Sequence, residues 1–113
     1  MDNVNVIYRI PCNNCPKAYI GETKRALRIR MSEHEADIRN SRIKKVVPAH
    51  CHHNEHSMNF NKVKIMDFEP HWFKRRVSEM INIQCEKSRL SKNEDTKTLH
   101  KSYINIIDKL THL

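Results

Sequence analysis

Side chains that commonly bind metal ions are concentrated in one short segment of the sequence. Residues 50–56 read His-Cys-His-His-Asn-Glu-His, and far upstream Cys12 and Cys15 form a Cys-x-x-Cys pair. Two cysteines with two histidines are a common donor set for structural zinc. Because Pro11 and Pro16 bracket the cysteine pair, we expect a tight loop between two strands, as in a zinc knuckle.

The spacing alone leaves other interpretations of these residues open. A Cys-x-x-Cys pair can also be a redox pair at a helix N-terminus, or a coincidence. His52 and His56 have an ordinary zinc spacing, and Cys51 and His53 are further candidate ligands. Four protein ligands leave no position for a reactive water, so a zinc ion here is expected to be structural. Cys85, on a predicted helix, is expected to be a buried thiol.

Basic residues exceed acidic ones by a wide margin. The 113 residues include 21 Lys+Arg and 13 Asp+Glu, a formal net charge of +8. Such an excess on a small domain favours a polyanionic partner, because neutralising phosphates releases counterions. The excess is concentrated in residues 24–45 and again in 74–76. The side chains expected to contact nucleic acid are Lys24, Arg25, Arg28, Lys44, Lys45, Arg75 and Arg76.

The single glycine of the chain, Gly21, excludes two classes of nucleotide-dependent enzyme. Both the dinucleotide-binding motif and the P-loop need at least two glycines. No apolar run is long enough to span a membrane, and the first residues carry no signal-peptide pattern. We therefore expect an intracellular protein with no membrane partner, whose thiols stay reduced.

The apolar pattern predicts the elements that must position these residues. A strand over residues 4–10 and a shorter one over 17–21 predict a hairpin (1–22) with the cysteines at its tip. The remaining predicted elements are an arginine-bearing helix at 23–40, with Thr23 as N-cap, a His-rich segment at 48–57, a third strand at 60–67 and helices at 70–87 and 99–111. The predicted buried stripe of the 70–87 helix is Phe73, Val77, Met80, Ile81 and Gln84. The predicted fold is a single α+β domain of residues 1–113, a small three-stranded antiparallel sheet flanked by helices, with an added zinc knuckle.

The string from Val6 to Thr23 resembles a nuclease family. Val-Ile-Tyr, ten residues, Tyr-Ile-Gly and an arginine-bearing helix resemble the GIY-YIG endonucleases, with Val6 in place of the first motif glycine. The fuller string Val-Ile-Tyr-Arg-Ile-Pro-Cys-x-x-Cys-x-x-x-Tyr-Ile-Gly-Glu-Thr resembles the endonuclease domain of Penelope-like retroelements. In those domains a Cys-x-x-Cys insert and two downstream histidines complete a zinc site. The ligands that this resemblance implies are Cys12, Cys15, His50 and His56.

The resemblance also implies a site for phosphodiester hydrolysis. Its residues are Tyr8, Tyr19, Arg30, His34 and Glu79. Tyr8 is expected to take a proton from the attacking water, while Tyr19 positions water or phosphate and His34 supports the network. Since tyrosine has an ordinary pKa of about 10, a neighbouring cation must lower it, and Arg30 is the expected source. Arg30 is also expected to clamp the phosphoryl oxygens. Glu79 is the expected ligand of one divalent ion, Mg²⁺ or Mn²⁺.

Further expectations follow from the same resemblance. A supporting residue near the C-terminus is Asn93, or Ser91 in a different register. Gly21 ends the second tyrosine motif, where a close backbone approach or a positive φ would require glycine. The expected function is a DNA endonuclease, located in the nucleus, that nicks target DNA for retroelement integration by target-primed reverse transcription. A reverse transcriptase domain in the parent polypeptide is a candidate partner. The alternative is a zinc-stapled DNA-binding module without catalytic activity.

Overall fold

Three antiparallel strands form the sheet, with the first strand in its centre. The structure is a computed structural model that describes residues 3–90 of the chain. β1 (Val6–Pro11) pairs with β2 (Ala18–Thr23) on one side and with β3 (Lys64–Phe68) on the other. The helices are α1 (Leu27–Arg39), α2 (Val46–Asn54) and α3 (Trp72–Cys85). The predicted α+β class, with a three-stranded antiparallel sheet flanked by helices, is confirmed.

The two faces of β1 pack against different helices. Successive side chains of a strand point to opposite faces. Tyr8 belongs to a buried cluster that includes Met31 of α1 and Val47 of α2. Arg9, on the other face, forms an ion pair with Glu86 just after α3, with Nε and Oε2 2.7 Å apart. The sheet therefore has α1 and α2 on the Tyr8 side, and α3 meets it from the Arg9 side.

The third strand is shorter than predicted. It begins at Lys64 rather than at residue 60, because Phe60–Lys62 form a 3₁₀ turn. The side chain of Asn59 stabilises this turn by accepting a hydrogen bond from the backbone N–H of Asn61, 3.1 Å away. The alternating apolar pattern did not reveal the turn.

The arginine-bearing helix also starts later than predicted. α1 begins at Leu27, because Thr23 is still part of β2. The Thr23 hydroxyl accepts a hydrogen bond from the backbone N–H of Arg25 and so shapes the connection instead of capping the helix. α2 begins at Val46 and thus places Pro48 in the first helical turn, where proline costs no hydrogen bond.

The buried face of α3 differs from the predicted stripe. Val77 and Met80 are buried as predicted, and Arg75 is buried as well. The stripe members that are exposed are Phe73, Ile81 and Gln84. Cys85 is exposed, so the prediction of a buried thiol is wrong. The apolar periodicity overlooked Arg75 because its burial depends on a partner in β2.

Two predictions fall outside residues 3–90, namely the helix at 99–111 and the supporting residue Asn93 or Ser91. Within the described range, no helix combines the length and apolarity needed to cross a bilayer.

Candidate active site and metal centre

Two tyrosines lie side by side on the face of the sheet that α1 covers. Tyr8 is opposite Gly21, and Tyr19 is opposite Ile10, in the β1–β2 pairing, so both side chains share one face. Their ring centroids are 6.2 Å apart. Tyr8 is completely buried, at 0% exposure, whereas Tyr19 is half-buried at the rim. The structure thus brings the two motif tyrosines together.

Gly21 leaves the space that these two rings occupy. A Cβ atom at this position would lie 2.5 Å from the Tyr8 hydroxyl oxygen and 2.8 Å from Cε2 of Tyr19. Both distances are shorter than any ordinary carbon contact, which is about 3.5 Å. The φ angle of Gly21 is not positive. Glycine is therefore required here for the close approach of the rings and not for its backbone freedom.

Helix α1 adds an arginine and a histidine to the tyrosine pair. Arg30 and His34 are four residues apart and so lie on one helix face. The Tyr8 hydroxyl and Nε2 of His34 are 2.8 Å apart in a buried hydrogen bond. The imidazole stands edge-on to both tyrosine rings, with centroid distances of 5.9 and 5.3 Å. Arg30 lies near enough to Tyr8 to lower its pKa through charge and hydrogen bonding.

Burial controls the protonation of this pair. It raises the pKa of Tyr8 far above its usual value, and the opposing effect of Arg30 is smaller. Arg30 thus lowers the Tyr8 pKa as expected, but in the unliganded protein burial outweighs this effect and the pKa stays above its usual value. Burial also lowers the pKa of His34 to about 4, with Arg30 adding to the effect. The imidazole is neutral near pH 7, so its Nε2 can accept the Tyr8 hydroxyl proton.

The carboxyl group of Glu79 approaches the tyrosines from α3. Glu79 is half-buried, and burial raises its pKa to about 7, with the charge of Glu22 adding to the effect. Its charge acts on both Tyr8 and Tyr19. A carboxylate whose anionic form is disfavoured in this way gains most from a bound cation. Glu79 therefore fits the role of a ligand for a divalent ion such as Mg²⁺ or Mn²⁺.

Four potential metal ligands converge at the tip of the β1–β2 hairpin. Cys12, Cys15, His50 and His56 place one donor atom each within 4.8 Å of all the others. Sγ of Cys12 lies 3.4 Å from Nε2 of His50 and 3.6 Å from Nδ1 of His56. Sγ of Cys15 is 3.5 Å from the same His50 nitrogen, and the two histidine nitrogens are 3.2 Å apart. This cluster could hold a metal ion.

Four of the six donor–donor separations in the cluster match the edges of a tetrahedral zinc site. With Zn–S of about 2.3 Å and Zn–N of about 2.0–2.1 Å, a tetrahedron has S–N edges of about 3.5 Å and N–N edges of about 3.3 Å. The observed S–N separations are 3.4, 3.5 and 3.6 Å, and the N–N separation is 3.2 Å. The donor set and the spacing of its atoms therefore agree with the predicted zinc knuckle.

The competing ligands in the His-rich segment lie elsewhere. Cys51 is buried in the apolar cluster beside Tyr8 and Met31. Nε2 of His52 is 3.0 Å from the backbone carbonyl oxygen of Ile38, outside the metal cluster. The pair of Cys12 and Cys15 lies at a hairpin tip and not at a helix N-terminus, which disfavours a redox role.

Most of the predicted basic residues lie on the surface around the site. Lys24 and Arg25 are exposed in the connection before α1, Arg28 is exposed in its first turn, and Arg76 is exposed on α3. Lys44 and Lys45 line a cavity of about 240 Å³ together with Arg30, Tyr19 and His34. Cationic side chains thus continue from the tyrosine pair to the beginning of α2.

Arg75 differs from the other basic residues. It is 5% exposed, and its Nε donates to Oε2 of Glu22 over 2.7 Å. Its Nη1 donates to the side chain of Asn5 and to the carbonyl oxygens of Glu69 and Pro70. The prediction that Arg75 contacts DNA is therefore wrong, because its guanidinium holds α3 against the sheet.

Two acidic residues near the site were not singled out from the sequence. Glu22 pairs with Arg75 and raises the pKa of Glu79. Asp37, buried on α1, binds Lys45 with its Oδ2 2.9 Å from Nζ, which fixes one cation of the cavity. Asp37 follows His34 by three residues, so the spacing alone places both on one face of α1. The partner of Asp37, Lys45, lies outside α1 and is not evident from that spacing.

Comparison with known proteins adds one finding. The family model described as GIY-YIG catalytic domain matches residues 4–82, which include the tyrosines, α1 and Glu79. No curated protein and no solved structure matches the chain.

Proposed function

The chain belongs to the GIY-YIG catalytic domain family, and from this premise we propose that it is a DNA endonuclease that hydrolyses phosphodiester bonds with one divalent metal ion. The observation that carries the proposal is the buried hydrogen bond between Tyr8 and His34 beside Arg30. A tyrosine with a neutral imidazole as proton acceptor and a guanidinium at its hydroxyl is suited to proton transfer beside an anion.

The proposed mechanism moves a proton inward from the attacking water. Tyr8 accepts this proton as its own hydroxyl proton passes to Nε2 of His34, which is 2.8 Å away. His34 is neutral when the site is empty, but its pKa of about 4 makes it a weak base, so the negative charge of the bound phosphate must raise that pKa before His34 takes the proton. Arg30 compensates the negative charge on the phosphoryl oxygens. Tyr19, at the rim, orients the water or the phosphate.

Glu79 supplies the metal ligand of this mechanism. A divalent ion there would neutralise charge on a non-bridging phosphate oxygen and assist the leaving 3′-oxygen. The carboxyl of Glu79 must lose its proton to bind the ion, and its pKa of about 7 places that loss near neutral pH. Mg²⁺ and Mn²⁺ suit a site with one or two carboxylates.

The cysteine–histidine cluster is proposed to hold a structural zinc ion. Cys12 and Cys15 lie at the tip of the β1–β2 hairpin, His50 is in α2, and His56 follows the end of α2 by two residues. Since all four tetrahedral positions would be filled by protein, the ion would have no water to activate. Its role would be to tie the hairpin that carries both tyrosines to the His-rich helix.

DNA is the proposed substrate, and it would lie along the basic surface. Lys24, Arg25, Arg28 and Arg76 would contact phosphates on either side of the tyrosines, and Lys44 and Lys45 a phosphate at the cavity beside Arg30. These contacts position the backbone without reading its sequence.

A role in retroelement integration is a further part of the proposal. Its support is the ordered string from Val6 to Thr23, with the Cys-x-x-Cys insert, and the two histidines that meet those cysteines in the structure. Nicking of target DNA by such a domain would expose a 3′-hydroxyl group for a reverse transcriptase domain of the parent polypeptide. This activity would take place in the nucleus.

A plasmid-nicking assay tests the endonuclease proposal. The wild-type protein with Mg²⁺ or Mn²⁺ is expected to relax supercoiled plasmid, whereas Tyr8→Phe and Glu79→Ala lose this activity. Glu35→Ala is the matched control, since Glu35 is an exposed acid on α1. If the wild type binds DNA but nicks no faster than Glu79→Ala, the proposal fails and the non-catalytic DNA-binding module is the correct function.

A further inference from the structure

The most exposed large apolar side chain of the described residues is the single tryptophan of the chain. Trp72, the first residue of α3, is 63% exposed. Its ring contacts Phe73 edge-on, with centroids 5.9 Å apart, and Phe68 at the end of β3 is 59% exposed. Several exposed aromatic side chains close together in the chain, here Phe68, Trp72 and Phe73, are a feature of interaction surfaces.

Trp72 lies on the same side of α3 as the candidate metal ligand. Seven residues separate Trp72 from Glu79. At about 100° and 1.5 Å per residue, the two side chains leave the helix within about 20° of each other and about 10 Å apart along its axis. Arg76 lies between them on this stripe and is exposed. The aromatic surface is therefore continuous with the active site.

The charge around Trp72 indicates what binds there. Arg76, one turn along α3 from Trp72 and on the same side of the helix, is exposed, and Lys74 is exposed on another face of α3. Cations beside an exposed aromatic ring favour nucleic acid, because phosphates meet the charges while a base stacks on the ring. A second copy of this chain, which also carries a net charge of +8, would be repelled from this basic surface.

We propose that Trp72 stacks on an unpaired base of the DNA beside the active site. An indole on the protein surface can stack only on a base that has left the duplex, so Trp72 favours DNA that is single-stranded or opened near the nick. This inference rests on the proposed endonuclease function.

The fluorescence of Trp72 reports directly on this contact, because no other tryptophan contributes. The full chain is titrated, without divalent ions, with a fluorescein-labelled single-stranded oligonucleotide and with its fully paired duplex. Indole emission is expected to be quenched by the single strand and much less by the duplex. In the same solutions, label anisotropy measures binding independently.

Substitutions separate stacking from other effects. Trp72→Ala is expected to weaken single-strand binding roughly 5- to 150-fold, the range for losing one base–aromatic stack, while Trp72→Phe retains most of it. Ile43→Ala, which truncates an exposed apolar side chain on another surface, is the matched control. If Trp72→Ala does not fold, the quenching of wild-type emission and the affinity of Trp72→Phe for single-stranded DNA still test the stacking proposal.

Three results would overturn the inference. The first is DNA binding that leaves Trp72 emission unchanged, and the second is a Trp72→Ala affinity for single-stranded DNA within twofold of wild type. The third is Trp72 emission that acrylamide does not quench in the free full chain, which would mean that another part of this chain covers the indole. Failure of the endonuclease proposal is seen separately, as DNA binding without metal-dependent nicking, and it leaves the Trp72 result unaffected.

Discussion

Replacing Gly21 by alanine is expected to reduce nicking sharply in a protein that still folds. The added Cβ would lie 2.5 Å from the Tyr8 hydroxyl oxygen, 2.6 Å from Tyr8 Cζ and 2.8 Å from Tyr19 Cε2. Restoring ordinary contacts of about 3.5 Å requires that the rings move by about 1 Å. Because the φ angle of Gly21 is not positive, alanine adds no backbone strain.

The magnitude follows from this displacement. Overpacking of this kind costs about 1–3 kcal/mol of unfolding free energy. A misplacement of about 1 Å at reacting groups can cost about 100-fold in rate, which corresponds to about 2.7 kcal/mol of activation free energy. The hydrogen bond between Tyr8 and His34, 2.8 Å long, would be lost or lengthened. The expected nicking rate of Gly21→Ala is therefore about 1% of wild type.

The assay compares Gly21→Ala with Val6→Ala. Val6 is buried in β1, so its truncation costs stability without adding an atom against either tyrosine. Unfolding is followed by circular dichroism, and nicking rates are measured at a temperature where both variants are folded. Val6→Ala is expected to keep most of its activity, and the larger Gly21→Val to lose more than Gly21→Ala. The reasoning is refuted if Gly21→Ala nicks within threefold of wild type, or if both variants lose activity in proportion to stability.

Three other predictions concern metal, pH and an ion pair. Cys12→Ser is expected to lose stoichiometric zinc, measured by elemental analysis, and to melt at a lower temperature, whereas His52→Ala retains its zinc. Without added divalent ions, the raised pKa of Glu79 (about 7) makes stability fall as pH rises from about 4.5 to 7, and the lowered pKa of His34 (about 4) makes stability rise between about 4 and 6.5. In the wild type the two slopes oppose each other. Glu79→Gln removes the falling slope, so the unfolding free energy of this variant is expected to rise steeply from pH 4.5 to 6.5. A variant with the same pH profile as the wild type would contradict the assigned pKa shifts. Arg75→Ala is expected to destabilise the fold by about 3–5 kcal/mol in urea unfolding, because it leaves the Glu22 carboxylate without its buried partner; a loss below about 1 kcal/mol would mean that the ion pair is dispensable.

The sequence was sufficient for features that depend on neighbours along the chain. The β1–β2 hairpin follows from two alternating segments joined by a loop with Pro11 and Pro16. The position of Arg30 and His34 on one face of α1 follows from their spacing of four residues. The cysteine pair at the hairpin tip was also predictable, since its loop lies between the two strands.

The sequence was not sufficient where burial depends on a distant partner. Arg75 and Arg76 are neighbours of the same type, yet only Arg75 is buried, because Glu22 in β2 faces it. Periodicity records apolar spacing and cannot report a carboxylate 53 residues away that makes a buried guanidinium favourable. For the same reason, the charge run at 74–76 was interpreted as one DNA-contacting cluster.

In the proposed mechanism, the pKa shifts make the activity of the candidate site depend on both the substrate and the metal ion. Burial favours the neutral form of Tyr8, His34 and Glu79 alike, so near pH 7 the first two are uncharged in the empty site and Glu79 is only partly ionised. A phosphodiester stabilises protonated His34, and a cation at Glu79 stabilises the carboxylate and the Tyr8 phenolate. Each change makes transfer of the Tyr8 proton to His34 more favourable. With the metal ion alone the protonated His34 lacks a nearby anion, and with the DNA alone the Tyr8 phenolate lacks the additional cation. We therefore expect that DNA and the divalent ion each strengthen the binding of the other. In a series of metal titrations at increasing DNA concentration, the apparent dissociation constant of the metal ion is expected to fall.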